Sequence, residues 1–263
     1  MASSPDKSAN IPSSVHDILS DFQAAGEARA DRTPGNYLQP SALAWAERIL
    51  HRLDHRKGRR PLADLSRSFL LLVDIQRLFV DPSSPAFLPS WPEAELGVRR
   101  VLDAARTHGL PIGWSRHLHP SSDPGGTIVH FFGRVIEENS PLAELAPWLE
   151  RHPEELVMDK TRHPAFMGTD LTEIIARKGC DSIVIMGVQA PLCVTATAIW
   201  AGALDIVPVV VADCLAAKNE DEHESALVTL ASGLAHVVTS TELLAAWWDS
   251  FRPGTPSISQ RTH

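Results

Sequence analysis

Apolar runs and amphipathic segments alternate along the chain from about residue 68 to residue 250. Residues 68–73 form an almost unbroken apolar run, which is typical of a strand covered on both faces. Residues 93–108 then carry apolar side chains at helical spacing, and Gly109 is placed to end that helix. Five more segments have the apolar, β-branched character of strands: 110–114, 155–158, 182–186, 206–212 and 235–239. Strands that alternate with helices predict right-handed crossovers and a parallel sheet.

Individual residues inside this region refine the prediction. Asn219 and Ser240 each stand just before a helical segment, where a side-chain oxygen can accept from free backbone N–H groups. Pro208 lies inside the fifth predicted strand and has no N–H group, so we expect the pairing of that strand to begin just after it. The predicted fold class is α/β, a three-layer α/β/α, Rossmann-like architecture around a mostly parallel six-stranded sheet.

The first 65 residues do not follow this alternation. Residues 14–28 and 41–53 have the pattern of two amphipathic helices, and residues 253–263 are polar, as expected of a flexible tail. We therefore divide the chain into an N-terminal tail and helical arm (1–65), a core domain (66–252) and a C-terminal tail (253–263). We expect the arm to cover the functional site or a neighbouring subunit.

The composition argues against several classes of protein. The formal charge of −8, from 24 Lys+Arg against 32 Asp+Glu, disfavours a nucleic-acid partner. Residues 183–204 carry no charge and are long enough to span a membrane, but Gln189 and Pro191 favour a buried strand, a turn and a helix. Three cysteines are too few for a disulfide scaffold, so we expect a cytoplasmic protein with no membrane partner.

Reactive side chains fall where predicted strands end. Asp74 follows the first strand, Lys160 the third, Cys193 the turn after the fourth, and Asp213 ends the fifth. Because ligands of open α/β sheets bind outside the carboxyl ends of the strands, an acid, an amine and a thiol are expected to converge there. Cys193 also begins a helical segment, whose dipole favours thiolate. Two cysteines are expected to be structural: Cys180 and Cys214.

Four segments that carry these residues resemble a known family. They are LLVDIQ at 71–76, KTRHPAFMGTDL at 160–171, GVQAPLCV at 187–194 and VVAD at 210–213. In their order and spacing, over about residues 69–244, they resemble the isochorismatase-like cysteine hydrolase superfamily. Its members include nicotinamidases, N-carbamoylsarcosine amidases, ureidoacrylate amidohydrolases and isochorismatases.

The resemblance implies a catalytic triad of Asp74, Lys160 and Cys193. A thiol attacks a carbonyl carbon as thiolate, so it needs a base and a nearby positive charge. Asp74 would take the thiol proton and later activate water, while Lys160 would stabilise the thiolate. Backbone N–H groups in the turn at Val188, Gln189 and Cys193 would hold the oxyanion. Family members have a cis peptide bond in this turn, which here would join Val188 and Gln189.

The sequence departs from the family pattern at two places. The turn commonly carries Thr at the positions of Gln189 and Ala190, and Pro191 is unusual there. The segment after the lysine often shows an aromatic residue and a serine, where this chain has His163 and Pro164. These differences change the second oxyanion donor and the pocket wall, while the nucleophile is retained.

A substrate pocket is expected beside the triad, lined by Gln76, Phe79, His117, His119, Arg162 and Phe166. Nicotinamidases bind a divalent metal through an Asp-x-His pair and a further histidine. The corresponding residues here are His117 and His119, with His130 later. Two imidazoles can share an ion such as zinc, but the pattern lacks a carboxylate ligand. We therefore predict no metal and no cofactor, with His117 and His119 as the metal-ligand candidates to be tested.

The leading functional prediction is a cysteine-dependent hydrolase that cleaves a C–N bond of a small amide, carbamoyl or ureido compound. Arg116, Arg162 and the nearby histidines would favour a carboxylate-bearing substrate, and the resemblance implies a homo-oligomer. Two alternatives stay open, a vinyl-ether hydrolase of the isochorismatase type and a catalytically silent binding protein. A dinucleotide oxidoreductase is disfavoured, because no G-x-G-x-x-G motif follows the first strand.

Overall fold

The structure is a computed structural model that describes residues 35–39, 41–53 and 65–251. The helix predicted at 14–28 and the tail predicted at 253–263 lie outside the described residues. The boundaries predicted at residues 65 and 252 stay predictions.

The centre of the fold is a six-stranded sheet in the order β3-β2-β1-β4-β5-β6. The strands are β1 Ser68–Val73, β2 Ile112–His117, β3 Leu156–Lys160, β4 Ser182–Val188, β5 Val207–Ala216 and β6 His236–Val238. All neighbouring strands are parallel, which confirms the predicted sheet and extends "mostly parallel" to parallel throughout. Every residue of β1 and β4 is buried, because helices cover both faces of the sheet.

Helices of different lengths precede, connect and follow these strands within the described ranges. They are α1 Ala42–Leu53, α2 Arg77–Val80, α3 Trp91–Thr107, α4 Thr127–Phe132, α5 Leu171–Arg177, α6 Thr195–Ala203, α7 Glu220–Ala231 and α8 Ser240–Ser250. Short 3₁₀ turns lie at Pro141–Ala143 and Pro147–Leu149, and a π turn at Ala190–Val194 leads into α6. The sequence pattern does not predict α2, α4 or the 3₁₀ turns, because three to six residues are too few to show a helical period.

Strand β5 includes Pro208 instead of beginning after it. Pro208 lies opposite Ile183 of β4, and Val207 donates its N–H to the carbonyl of Asp181 at 3.0 Å. Strand β6 pairs with β5 only from Val209 onwards, so Pro208 has no ladder partner on that side. The expectation that pairing starts after Pro208 is therefore wrong, because the missing N–H group falls where no partner strand needs it.

The helix caps agree with the sequence in one case and differ in the other. The Asn219 side chain accepts the N–H of Glu222 at 2.9 Å, which confirms it as the cap of α7. Thr239 caps α8 in place of Ser240, with a reciprocal capping box. Ser240 instead directs its N–H and O–H groups to the carboxylate of Asp213, at 2.6 and 2.5 Å.

Helix α1, part of the predicted N-terminal arm, packs on the same core as the sheet. It lies against β5, α3 and α7, and it buries Trp45 and Ile49. The Trp45 indole also donates to Glu220 at the start of α7, at 2.7 Å. This helix therefore shares the hydrophobic core of the sheet.

The order of the strands fixes where a site can form. From β1 the chain runs outwards through β2 to β3, and then returns to β4 on the other side of β1. The carboxyl ends of β1 and β4 therefore flank the point where the strand order reverses, which is where open α/β sheets bind ligands. Among the described residues, no helix is long and apolar enough to cross a membrane.

Candidate active site

Asp74 lies directly after β1, at the reversal point, and is completely buried. Its φ is 51°, in the left-handed region that a side chain other than glycine seldom adopts. Ser115 of β2 holds it there, because the Ser115 hydroxyl donates to Asp74 Oδ1 at 2.7 Å. Strained backbone of this kind is concentrated at functional sites.

Lys160, the last residue of β3, reaches across to Asp74. Its Nζ lies 2.7 Å from Asp74 Oδ2, and both side chains are almost fully shielded from solvent. The same Nζ lies 3.3 Å from the Sγ of Cys193 and donates to the carbonyl of Arg162 at 3.1 Å. The ammonium group therefore joins the carboxylate to the thiol.

Cys193 lies in the π turn between β4 and α6 and is only 6% exposed. The peptide bond between Val188 and Gln189, at the start of this turn, is cis, as the resemblance implies. Thr197, one turn further along, donates its hydroxyl to the Cys193 carbonyl at 2.6 Å. The Thr197 hydrogen bond therefore helps to hold the turn that presents the thiol.

The three groups set one another's protonation. Burial alone raises the pKa of Asp74, but the Lys160 ammonium and hydrogen bonds outweigh it and hold that pKa below its usual value. Burial alone lowers the pKa of Lys160, but Asp74 and Cys193 outweigh burial and hold that pKa above its usual value. Burial and the Asp74 carboxylate raise the pKa of the Cys193 thiol. The free site therefore holds a carboxylate, an ammonium and a neutral thiol.

Two imidazoles complete the surroundings of the thiol. His163 Nδ1 lies 3.4 Å from Cys193 Sγ, and His117 Nδ1 lies 3.9 Å from it and 3.4 Å from Lys160 Nζ. Burial, followed by the Lys160 charge, lowers the pKa of His117 to about 3 and also lowers that of His163. The sequence marked His163 only as a departure from the family, although its place three residues after Lys160 pointed to the same loop.

His117 is the first member of a chain of hydrogen bonds that the sequence did not predict. Its Nε2 lies 3.1 Å from His119 Nε2, and His119 Nδ1 lies 3.2 Å from Asp123 Oδ2. Because an ionised carboxylate only accepts, His119 donates from Nδ1 and accepts at Nε2. His117 must then donate from Nε2, which leaves its Nδ1 as an acceptor facing the thiol. Gln76 fixes the backbone of His117, accepting its N–H at 2.8 Å and donating to its carbonyl at 3.1 Å.

The metal site suggested by the family does not fit His117, His119 and His130 as the structure arranges them. Within the part of the chain that the structure describes, one group of three candidate ligands lies close together, His117, His163 and Cys193. That group contains neither His119 nor His130. A three-ligand site of the Asp-x-His and histidine type therefore has too few ligands here, and His119 is engaged with Asp123 instead.

The remaining predicted pocket residues have mixed surroundings. Phe166 is buried in the hydrophobic core and Phe79 packs against that core, and their place in the pocket wall stays a prediction. Arg162 pairs with Asp123 at 3.2 Å, and Arg116 forms a bidentate pair with Asp159 at 2.7 Å. The predicted cationic pocket mouth is therefore largely neutralised by acids that stand beside these arginines.

Three residues singled out from the sequence lie away from this cluster. Asp213 ties β5 to Ser240 at the start of α8, which makes its role structural. Cys180 and Cys214 are free thiols, and burial raises the pKa of both. The thiol of Cys214 lies against α3, at the position of Gly97.

The fold and the site together define an α/β protein with a buried acid–amine–thiol cluster at the switch point of a parallel sheet. The isochorismatase domain model matches residues 68–242, which is more than half of the chain. The chain belongs to the isochorismatase domain family. This result confirms the resemblance that the sequence motifs indicate.

Individual relatives cover the same region. A probable isochorismatase from Pseudomonas chlororaphis is 28% identical over 69% of this chain and 86% of its own length. A maleamate amidohydrolase from Pseudomonas putida is 26% identical over 71% of this chain and 86% of its own length. The crystal structure of a cysteine hydrolase from Pseudomonas syringae pv. phaseolicola 1448A has a TM-score of 0.68 and 19% identity. It covers 73% of this chain and 97% of that one, and it shows the fold alone.

Proposed function

We propose that this member of a hydrolase family is a cysteine-dependent hydrolase that cleaves a C–N bond of a small amide, carbamoyl or ureido compound. The observation that carries the proposal is the position of Lys160 Nζ, 2.7 Å from Asp74 Oδ2 and 3.3 Å from Cys193 Sγ. Asp74 follows β1, Lys160 ends β3 and Cys193 lies in the turn after β4, and all three side chains are buried. A nucleophile with a base and a cation in contact is what covalent catalysis by a thiol requires.

In the first half of the reaction, Cys193 gives its proton to the Asp74 carboxylate. The thiolate, stabilised by Lys160, forms a C–S bond to the substrate carbonyl carbon, and the carbonyl oxygen becomes an oxyanion. The C–N bond then breaks, and the amine leaves with the proton that Asp74 had taken. The backbone N–H groups of Gln189 and Cys193 are the proposed donors to the oxyanion.

In the second half, Asp74 takes a proton from a water molecule, which attacks the thioester carbonyl. The C–S bond breaks, the acid product leaves, and the thiolate recovers the proton. Asp74 thus serves twice as base and twice as acid, and its lowered pKa in the free site keeps it ionised and able to accept the first proton. Burial of the site keeps bulk water from competing during the first half.

The substrate class has support from a relative, the maleamate amidohydrolase named above. The preference for a carboxylate-bearing substrate has less support, because Asp123 and Asp159 neutralise the two arginines that suggested it. An uncharged amide therefore fits the pocket mouth better than the sequence alone indicates. A pair of matched substrates, one neutral and one with an added carboxylate, tests this point through the ratio of their kcat/KM values.

A second candidate is hydrolysis of a vinyl ether, which the similarity to a probable isochorismatase favours. In that branch the aspartate acts as an acid and the position of the thiol is typically not a nucleophile. The retained Cys193, in contact with Lys160, favours the thiol mechanism here. A silent binding protein would have no need of the three buried groups in this arrangement.

A screen for ammonia release over amides, carbamoyl compounds and ureides, run with and without chelator, tests the proposal. We expect turnover that Cys193→Ala abolishes and Cys180→Ala leaves unchanged, with circular dichroism as the check on folding. A thioester on Cys193, trapped by acid quench and detected by mass spectrometry, is the positive signature. Full turnover by Cys193→Ala would refute the thiol mechanism, and release of a carbonyl product from vinyl ethers would support the second candidate.

We also propose that the chain forms a homo-oligomer, a feature implied by the resemblance. Trp248 on α8 is 60% exposed, whereas its neighbour Trp247 is buried in the core. An exposed indole of this size is common at protein interfaces. Sedimentation velocity is expected to give a mass above that of one chain, and Trp248→Ala is expected to lower it if α8 lies in the interface. A monomeric mass for the unaltered chain would contradict the proposal.

A further inference from the structure

The side chains around the thiol have a composition that catalysis by the triad does not require. Cys193 Sγ has His163 Nδ1 at 3.4 Å and His117 Nδ1 at 3.9 Å, on side chains from two different loops or strand ends. The three ligand atoms lie within 4.8 Å of one another. We infer that Cys193, His117 and His163 form a binding site for a thiophilic divalent cation such as Zn²⁺, and that the bound ion reversibly blocks the nucleophile.

The separations of these atoms match a tetrahedral zinc site. Zinc bonds to sulfur at about 2.3 Å and to imidazole nitrogen at about 2.0–2.1 Å, so sulfur and nitrogen ligands stand about 3.5 Å apart. The observed distances of 3.4 and 3.9 Å lie on either side of that value. Thiolate and imidazole are also the ligand types that zinc prefers. Three protein ligands leave the fourth position for water.

The hydrogen bonds behind His117 prepare it for this role. Asp123 accepts from His119, and His119 accepts from Nε2 of His117, so Nδ1 of His117 carries the lone pair that faces the cluster. Metal-bound histidines commonly donate their second N–H group to such a partner, which fixes the tautomer and the orientation of the ring. His119 and Asp123 are therefore positioning residues for the site and not ligands.

Binding of the ion is a balanced exchange at the thiol. The Cys193 S–H bond breaks, the proton leaves to the solvent, and the thiolate forms a bond to Zn²⁺ without any oxidation. Lys160 gives up its contacts with Cys193 and His117 and keeps its ion pair with Asp74. Because metal binding requires the deprotonated thiol, about one proton is released per ion bound. His163 is only half-buried, which leaves a path for a small hydrated ion.

The site predicts a metal effect that is separate from the reaction of the triad. Zinc draws electron density from the thiolate, and the ion with its water occupies the space through which a carbonyl or an alkylating reagent would approach, so Cys193 reacts far more slowly while the fold is unchanged. Removal of the ion by a chelator restores the thiol. This property goes beyond the proposed hydrolase activity, since it concerns which ions the site binds and can be measured with no substrate present.

The test uses the full chain, treated with chelator and then titrated with ZnCl₂. Labelling of each cysteine by iodoacetamide is followed by mass spectrometry, and binding is followed by calorimetry in two buffers to count released protons. We expect one equivalent of Zn²⁺ to slow labelling of Cys193 at least tenfold and to leave Cys180 unchanged. Co²⁺ in place of Zn²⁺ is expected to give a sulfur-to-cobalt charge-transfer band that Cys193→Ala removes.

Matched variants separate the cluster from non-specific binding. His163→Phe keeps a ring next to Phe132 and is expected to weaken protection at least tenfold, whereas His130→Phe on the exposed face of α4 is expected to have no effect. Asp123→Asn, which loosens the support behind His117, is expected to weaken binding by about 10-fold to 100-fold. Equal protection in His163→Phe and the unaltered chain would overturn the inference. Unprotected Cys193 at one equivalent of Zn²⁺ would overturn it as well, whether or not the chain hydrolyses amides.

Discussion

The buried histidine of α7 predicts a specific loss of stability in acid. His223 is completely buried, with the Trp45 ring centroid 4.5 Å from its own and the Tyr37 hydroxyl 3.0 Å from Nδ1. That hydroxyl accepts the N–H of Ala217 and has one hydrogen of its own, which it donates to Nδ1 of the neutral imidazole. A second proton on the imidazole would meet this donor with no solvent to stabilise the charge. Burial, offset in part by a hydrogen bond to the Ala212 backbone, lowers the pKa of His223 to about 3.

The size of the effect follows from the difference between the folded and unfolded chains. An unfolded histidine has a pKa of about 6.5, so between about pH 6.5 and pH 3 the unfolded chain binds a proton at this position and the folded chain does not. The free energy of unfolding therefore falls as the pH falls through this window. Between pH 7.5 and pH 4.5 the loss attributable to His223 is about 2.7 kcal/mol.

Urea denaturation of the unaltered chain and of His223→Gln at both pH values measures this loss. The glutamine cannot titrate, so the variant is expected to be less stable at pH 7.5 and to lose about 2.7 kcal/mol less on going to pH 4.5. His152→Gln, which replaces a histidine whose side chain is 47% exposed, is the control and is expected to follow the unaltered chain. An equal loss in the unaltered chain and in His223→Gln would refute the reasoning.

Two further predictions concern residues that hold the sheet and its helices in place. Asp213→Asn is expected to lower the free energy of unfolding by about 2–3 kcal/mol, because the buried carboxylate accepts two hydrogen bonds from Ser240. Urea denaturation measures this loss, and a change below about 0.5 kcal/mol would contradict the prediction. Gly187→Ala is expected to prevent stable folding, because a Cβ there would overlap the Val73 carbonyl at a φ of 120°. Gly109→Ala is the matched control, because Gly109 also has a positive φ but has open space around it. This variant is expected to lose only about 1–2 kcal/mol of free energy of unfolding in thermal denaturation. Similar stability of the two variants would argue against the overlap.

The sequence was sufficient for the sheet because each strand carries its own signal. The apolar run of β1 predicts burial on both faces, and the order of strands and helices predicts parallel pairing. Asp74, Lys160 and Cys193 were found for the same reason, since each stands at or just after the carboxyl end of a recognisable strand. Each signal is local to one segment, and the three residues come together because the carboxyl ends of parallel strands lie at the same edge of the sheet.

The rest of the site depends on contacts between segments that carry no shared pattern. Asp123 lies in an irregular loop, so nothing in the sequence connects it with His119 and, through it, with His117. The positive φ of Asp74 is likewise imposed by Ser115 from a different strand. The pairing of Arg162 with Asp123 removes a charge that sequence reasoning had counted as available to substrate. Tertiary contacts of this kind determine the net charge around the site, the tautomers of its histidines and the orientation of its side chains. They are visible only in the folded chain.

The position of Lys160 gives the protein an unequal sensitivity to disturbance. Asp74 and the turn of Cys193 adjoin β1 and β4 in the middle of the sheet, whereas the lysine belongs to β3, which has a neighbour on one side only. Edge strands open with less free energy than central ones, because fewer contacts hold them. Loss of β3 would remove the ammonium and leave the carboxylate facing a neutral thiol, while most of the core remained intact. Heat or mild denaturant should therefore abolish the activity of the site before the fluorescence of the core tryptophans shows global unfolding.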